Sequence, residues 1–321
     1  MGRMLKRVAV WAVTSLVAGF AVFFVYGSWQ TYTTLDRILT VGAPTAQNSG
    51  WPTPETAADI GYRGNPMEAY GYPFEEIALE TELGAAPAWL VPAQGGTLDG
   101  TWGIVVHGIG GRRENGYRFL PAFHEAGMAT MLISYRNDEG TPASPDGRYA
   151  FGLTEWRDLE AAAQYALDNG ADALVLLGES MGGGIVGQFL RRSEHAASVK
   201  AVVLDAAAID YRAILVSAMK REGAPLPDLL ATGGMWIAAK RQPFDLREAV
   251  TTGDFAAFDG PIFVSHGAGD RIVPVELSDE LMEKRSAPSE YLRTRADHIL
   301  SWKEDPARYD AALLAFLRTV Q

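Results

Sequence analysis

Gly178-Glu179-Ser180-Met181-Gly182 sets a serine between two glycines, directly after the apolar run 173–177 and before Gly183-Gly184-Ile185-Val186-Gly187. A serine at such a strand-to-helix junction sits on a sharp, strained turn that lifts its hydroxyl clear of a sheet, beside the positive end of the following helix. The flanking glycines are expected because a side chain at either position would collide across the turn. A serine hydroxyl becomes a nucleophile only when a base takes its proton and a carboxylate orients that base.

The chain contains five histidines, so the base can be sought by elimination. His107 and His266 end apolar runs, and His124 and His195 lie in helical surroundings as surface residues. His298 stands in a loop late in the chain, which fits the order serine, carboxylate, histidine. His107 reads as a structural residue of its loop. Asp270, in Gly267-Ala268-Gly269-Asp270-Arg271-Ile272-Val273-Pro274, follows a strand end and precedes a helix. It is the expected partner of His298. Asp205 is the lesser alternative, and Asp297, adjacent to the histidine, reads as a turn residue. A tetrahedral oxyanion needs two converging N–H donors. Met181 supplies one, and the loop after His107, through Ile109, supplies the other. Arg112 and Arg113 follow that loop; they suit solvated surface positions better than contacts to an anionic substrate group.

Positioning these groups requires a sheet. Strands are predicted at 75–81, 87–92, 103–107, 129–134, 174–177, 201–204, 262–265 and 290–293, several as unbroken apolar runs typical of parallel strands buried on both faces. Helical periodicity occupies 118–126, 153–169, 182–192, 274–284 and 306–319. The alternation predicts an α/β fold with a mostly parallel eight-stranded sheet flanked by helices. The interval 207–258 is too long for a simple crossover and is read as a small helical cap, with an enlarged crossover helix as the alternative.

Composition narrows the setting. The net charge of −11 argues against a nucleic-acid partner, and the absence of cysteine excludes disulfides, thiolate metal sites and cysteine nucleophiles. Dispersed histidines and a glycine triplet at 182–184 without a P-loop lysine imply neither a metal nor a cofactor. Residues 8–26 are uncharged and mostly apolar, and as a helix would run about 28 Å, close to the hydrocarbon thickness of a bilayer. Arg3, Lys6 and Arg7 precede them. The positive-inside tendency then keeps residues 1–7 cytoplasmic and exports the chain beyond the anchor at 8–27. A cleaved secretory signal is the competing reading, but Val25-Tyr26-Gly27 matches a cleavage site poorly. Residues 28–73, with Pro44, Pro52, Pro54 and Pro66, are expected to form a tether or surface-packed lead-in to a catalytic domain at 74–321.

Taken together, Gly178-Glu179-Ser180-Met181-Gly182, His107-Gly108, the run from Gly267 to Pro274 and Asp297-His298 resemble an α/β-hydrolase fold serine hydrolase. The resemblance spans about 74–321, and its flavour is that of membrane-anchored bacterial esterase-like or prolyl-oligopeptidase-like enzymes. It implies a serine nucleophile on Ser180, an acyl-enzyme, and hydrolysis assisted by Asp270 and His298. The expected substrate is a small-molecule carboxylic ester or lipid-like acyl compound, and the expected membrane contact is the N-terminal helix. A peptidase with the same triad is the alternative, disfavoured because 28–73 is too short for the access-restricting domain that such peptidases carry. A non-catalytic binding protein on the same fold is the alternative of another class.

Overall fold

Eight short segments, most of them rich in valine, leucine, isoleucine and alanine, pair into one sheet in the computed structural model, which describes residues 2–45, 48–98 and 100–320. Met1, Ala46, Gln47, Asp99 and Gln321, which fall in the predicted basic N-terminus, lead-in and catalytic domain, lie outside the described residues. The strands are β1 (Glu75–Thr81), β2 (Gly84–Val91), β3 (Gly100–Val106), β4 (Ala129–Ile133), β5 (Ala171–Glu179), β6 (Val199–Asp205), β7 (Ile262–Gly267) and β8 (Ser289–Thr294). Their spatial order is β1-β2-β4-β3-β5-β6-β7-β8. β2 is antiparallel to both β1 and β4, and every other pair is parallel.

Burial follows strand position. The edge strand β1 alternates exposed and buried side chains, whereas all residues of β4 and β7 are buried. In the inner strands the side chains divide by the two-residue period of a pleated strand. Ile104, Leu176, Val202 and Val264 point into one apolar layer, and Val105, Leu177, Val203 and Phe263 into the other. Helices Trp156–Asp168 and Met181–Arg192 cover the first face; Leu120–Glu125 and Pro306–Arg318 cover the second. β5 is flanked by β3 and β6, so the turn that ends it opens near the middle of the sheet's carboxyl edge.

Between β6 and β7 the chain forms helices Tyr211–Arg221, Pro227–Arg241 and Thr252–Ala257. The first two correspond to the cap expected from sequence. At the N-terminus a single helix runs from Gly2 to Leu39. Among the described residues it is the one helix long and apolar enough to cross a membrane, with a mean hydropathy of 2.3 over its most apolar window and none of that window buried. Residues 28–39, assigned by composition to the lead-in, instead continue this helix. The reason is a second periodicity. Ser28, Thr31, Leu35 and Leu39 recur at helical spacing and are all buried against the domain.

Candidate active site

Ser180 is the hinge between β5 and the helix Met181–Arg192, with φ 51° and ψ −120°. That conformation costs a non-glycine residue on the order of 1–3 kcal/mol and persists only where the surroundings over-determine it. Here three main-chain bonds pin the turn. Ser180 N–H donates to Asp205 O at 2.9 Å, and Ser180 O accepts from Gly183 N at 3.0 Å and Ala208 N at 2.8 Å. Gly182 is required by close approach, since a Cβ there would lie 2.1 Å from Val106 O.

His298 lies in the loop after β8 and is buried. Its Nε2 is 2.9 Å from Ser180 Oγ, and its Nδ1 is 2.7 Å from Asp270 Oδ2. A carboxylate only accepts, so Nδ1 carries the proton and Nε2 is left to accept from the serine hydroxyl. The loop after β7 is brought against this one by Gly267, where a Cβ would stand 2.1 Å from Ala296 O. Asp270 Oδ1 accepts from Ile272 N at 2.8 Å and Val273 N at 2.9 Å, which fixes the carboxylate plane. Burial opposes ionisation of Asp270, but hydrogen bonds from His266 and His298 outweigh it and hold the carboxyl well below the usual carboxylate range.

Sequence alone marks His266 only as a residue that ends a strand. In the structure its Nε2 lies 3.2 Å from Asp270 Oδ2 and 3.1 Å from Val273 O, both acceptors, so Nε2 is the protonated nitrogen. Its Nδ1 then accepts from the Ser278 hydroxyl at 2.7 Å. One carboxylate oxygen is therefore shared by two imidazoles. The available signal was the four-residue spacing from His266 to Asp270 across the end of a strand.

The other candidate carboxylates are engaged elsewhere. Asp205 is buried and accepts from the hydroxyls of Ser265 and Tyr309. Asp297 is ion-paired with Arg271 at 2.6 Å and accepts from the His298 main-chain N–H at 2.8 Å, away from the imidazole.

Behind the serine, the loop after β3 is held by His107. Its Nε2 is 2.8 Å from Asp138 Oδ2 and its Nδ1 is 2.9 Å from Gly108 O. Both partners are acceptors. Burial works against protonating this ring, yet the adjacent Asp138 carboxylate outweighs it and raises the pKa above the ordinary histidine value. The Tyr135 hydroxyl donates to Gly108 O at 2.9 Å, adding a second tie. The Ile109 N–H that comes next donates no hydrogen bond among the described residues. Met181 N–H lies in the first turn of its helix, where backbone donors lack intrahelical partners. Arg112 pairs with Glu139, and Arg113 lies 3.8 Å over the Trp89 ring and 3.7 Å from Glu76, so neither is a free cation.

A cleft of about 610 Å³ adjoins His298, bordered by Trp51, Arg221, Glu222, Ile272 and Leu300. Trp51 belongs to the lead-in, which thus contributes a wall to the site. Among the described residues one group of potential metal ligands converges, Glu160, Glu194 and His195, and none of them belongs to the Ser180 cluster.

Comparison with known proteins agrees with this architecture. The family described as alpha/beta hydrolase fold matches residues 104–257, from within β3 to the end of the helix Thr252–Ala257, a span that includes Ser180. The uncharacterized protein YfhR of Salmonella typhimurium is 24% identical over 277 residues, covering 80% of this chain and 84% of that one. An uncharacterized Mycobacterium tuberculosis protein is 25% identical over 226 residues, covering 68% of this chain and 69% of its own. Among solved structures, an esterase of Pyrococcus furiosus superposes with a TM-score of 0.61 at 19% identity, over 81% of this chain and 96% of that one. Est1E of Butyrivibrio proteoclasticus, solved with ferulic acid, gives 0.58 at 14% identity over 76% and 98%. The chain has the α/β-hydrolase fold.

Proposed function

We propose that this chain of α/β-hydrolase fold is a serine hydrolase of carboxylic esters that works through an acyl-enzyme on Ser180. The observation that carries the reading is the continuous relay from Ser180 Oγ through His298 to Asp270, with distances of 2.9 and 2.7 Å. As Oγ attacks the ester carbonyl carbon, its proton passes to His298 Nε2, and the carbonyl oxygen becomes an oxyanion. The N–H groups of Met181 and Ile109 receive that charge. Collapse breaks the bond to the alcohol oxygen, which leaves with the proton from His298. Water then attacks the acyl-serine, giving its proton to His298, and the second collapse returns that proton to Ser180 Oγ and releases the acid. Asp270 stays ionised throughout and stabilises the transient imidazolium.

The apolar helix Gly2–Leu39 is proposed to span a membrane, N-terminus cytoplasmic, with the hydrolase domain on the opposite side. Three cationic residues, Arg3, Lys6 and Arg7, precede the apolar stretch, in keeping with that orientation.

The reading is tested on the purified full chain with short p-nitrophenyl esters and matched peptide p-nitroanilides, alongside fluorophosphonate labelling. Ester kcat/KM should exceed amide kcat/KM by a factor of about 100 or more, roughly 2.7 kcal/mol in transition-state stabilisation. Comparable or faster amide cleavage would favour a peptidase of the prolyl-oligopeptidase type. A folded protein that neither labels nor turns over any ester would be a binding protein on this fold.

His266 acts in this scheme as a positioning residue through Asp270. His266→Phe removes one charge-assisted hydrogen bond, worth about 1.5–3 kcal/mol, and is expected to lower kcat by about 10- to 100-fold with little change in KM. His266→Gln keeps an N–H donor and should recover part of the loss. Equal losses in both variants, tracked by equal losses of thermal stability, would mean that His266 only packs β7.

A further inference from the structure

The N-terminal helix and the cap are joined side by side. Gly27 faces Leu230, Ser28 faces Gly233, and Thr31 faces Gly234. Asp36 and Gln242 come within 3.4 Å. The pairings rise together in number, so the helices Gly2–Leu39 and Pro227–Arg241 run parallel. Small residues at these positions let the backbones approach closely. The register has a consequence for height above a bilayer. Leu230 meets Gly27, where the uncharged stretch 8–26 ends, so the start of the cap helix stands level with the end of the span.

That end of the cap is apolar and exposed. Leu226 is 53% exposed and Leu229 is 36% exposed, at the tip of the connection between the two cap helices. Leu226 is held at φ 48°, a conformation that costs a non-glycine residue about 1–2 kcal/mol, so the tip has a specified shape. Trp29 and Tyr32 come next on the N-terminal helix, and the Arg241 guanidinium stacks 4.9 and 5.6 Å from their rings. Such aromatic and cationic pairs suit the headgroup zone.

Charge points the same way. The chain as a whole carries −11, yet the helices Tyr211–Arg221 and Pro227–Arg241 hold Arg212, Lys220, Arg221, Lys240 and Arg241 against Asp228, with Asp210 and Glu222 flanking the first of them. All five cations are exposed. Basic residues next to a membrane surface are drawn to anionic lipid.

The tip also adjoins the cleft. Arg221 and Glu222, which border the cleft at His298, immediately precede the connection 223–226 that leads to Leu226. Ile272, 42% exposed, lies on the same border. We propose that the Leu226–Leu229 tip and the basic cap dock on an anionic bilayer crossed by the chain's own helix, so that the cleft at His298 takes its ester from that bilayer. The proposal rests on the ester-hydrolase and membrane-span readings above.

The chain has no cysteine, so single cysteines can be introduced at Leu226, at Leu229 and, as a control, at Glu125. Glu125 lies on the helix covering the opposite face of the sheet. The full-length variants, labelled with the fluorophore NBD, are reconstituted into phosphatidylcholine vesicles with and without phosphatidylglycerol. Blue-shifted emission quenched by lipid-attached quenchers at 226 and 229, but not at 125, is the expected result, stronger with phosphatidylglycerol. Water-like emission at all three sites in both vesicles would overturn docking, and so would insertion indifferent to phosphatidylglycerol overturn the role of the basic cap. In unlabelled protein, the double variant Leu226→Glu/Leu229→Glu should lose about tenfold or more in turnover of a vesicle-embedded ester while cleaving a short soluble ester within about twofold of wild type. Equal loss on both esters would overturn the access role of the tip. If no ester is cleaved by wild type, the ester reading fails, while the fluorescence still decides whether the tip docks.

Discussion

Ser180→Ala is expected to remove ester turnover by about 10⁶-fold in kcat, with fluorophosphonate labelling lost and the far-UV circular dichroism unchanged. The size reflects the role of Ser180 Oγ in the proposed scheme. It forms the only covalent bond to the acyl group, and His298 Nε2 at 2.9 Å has no other hydroxyl partner among the described residues. Deleting Oγ leaves the oxyanion donors and the cleft intact, so some residual catalysis over water remains. His298→Ala should cost about as much, and the double variant little more, because the residues act as a unit. Stability supplies an independent check. Ala keeps the strained φ of 51° that Ser180 adopts, whereas Gly relieves it. Ser180→Gly should therefore melt about 2–4 °C above Ser180→Ala, corresponding to about 1 kcal/mol. Fluorophosphonate labelling that survives Ser180→Ala would place the nucleophile elsewhere.

Asp270→Asn is expected to lower kcat by about 10⁴-fold at neutral pH, with KM nearly unchanged. An amide can present its N–H₂ to His298 Nδ1, which then gives up its proton and turns the wrong tautomer toward Ser180. Even with the oxygen presented, no anion remains to stabilise the imidazolium. The variant also changes the response to acid. In the folded protein the Asp270 carboxyl is held below its usual range, chiefly by hydrogen bonds from His266 and His298 that overcome burial. A depressed folded pKa contributes stability that is fully present above the unfolded value of about 3.9 and is lost as pH falls through the lower folded value. Urea melts should show the largest gap between wild type and Asp270→Asn at neutral pH, shrinking below about pH 4. A gap that widens in acid would mean that Asp270 is neutral in the folded state.

The strands and the elbow are legible in the sequence because their causes are local. Apolar runs such as 174–177 and 262–265 mark strands buried on both faces, and both lie within β5 and β7. The glycines around Ser180 mark a turn that admits no side chain, which Gly182 at 2.1 Å from Val106 O illustrates. His298 is reachable by elimination because histidines are few. The extension of the N-terminal helix to Leu39 is not legible, because proline- and glycine-rich composition beyond residue 40 masks a buried stripe whose partner lies some 200 residues away. His266 escapes for a different reason. Its bond to Asp270 spans only four residues, but it forms across the turn that ends β7, where Asp270 N–H donates to Gly267 O, and strand periodicity carries no signal for such a turn.

The sequence by itself determined the alternation of strands and helices, the strained serine turn, the late histidine and the apolar N-terminal helix, since each depends on residue types within one or two turns of chain. Only the tertiary structure decided which carboxylate faces His298, why Asp205 does not, that His266 shares Asp270, and that the N-terminal helix is clasped by the cap. Those outcomes rest on contacts such as Ser180 to His298, 118 residues apart. They exist only once β5, β7 and β8 stand in their order in the sheet and bring their carboxyl ends to one rim.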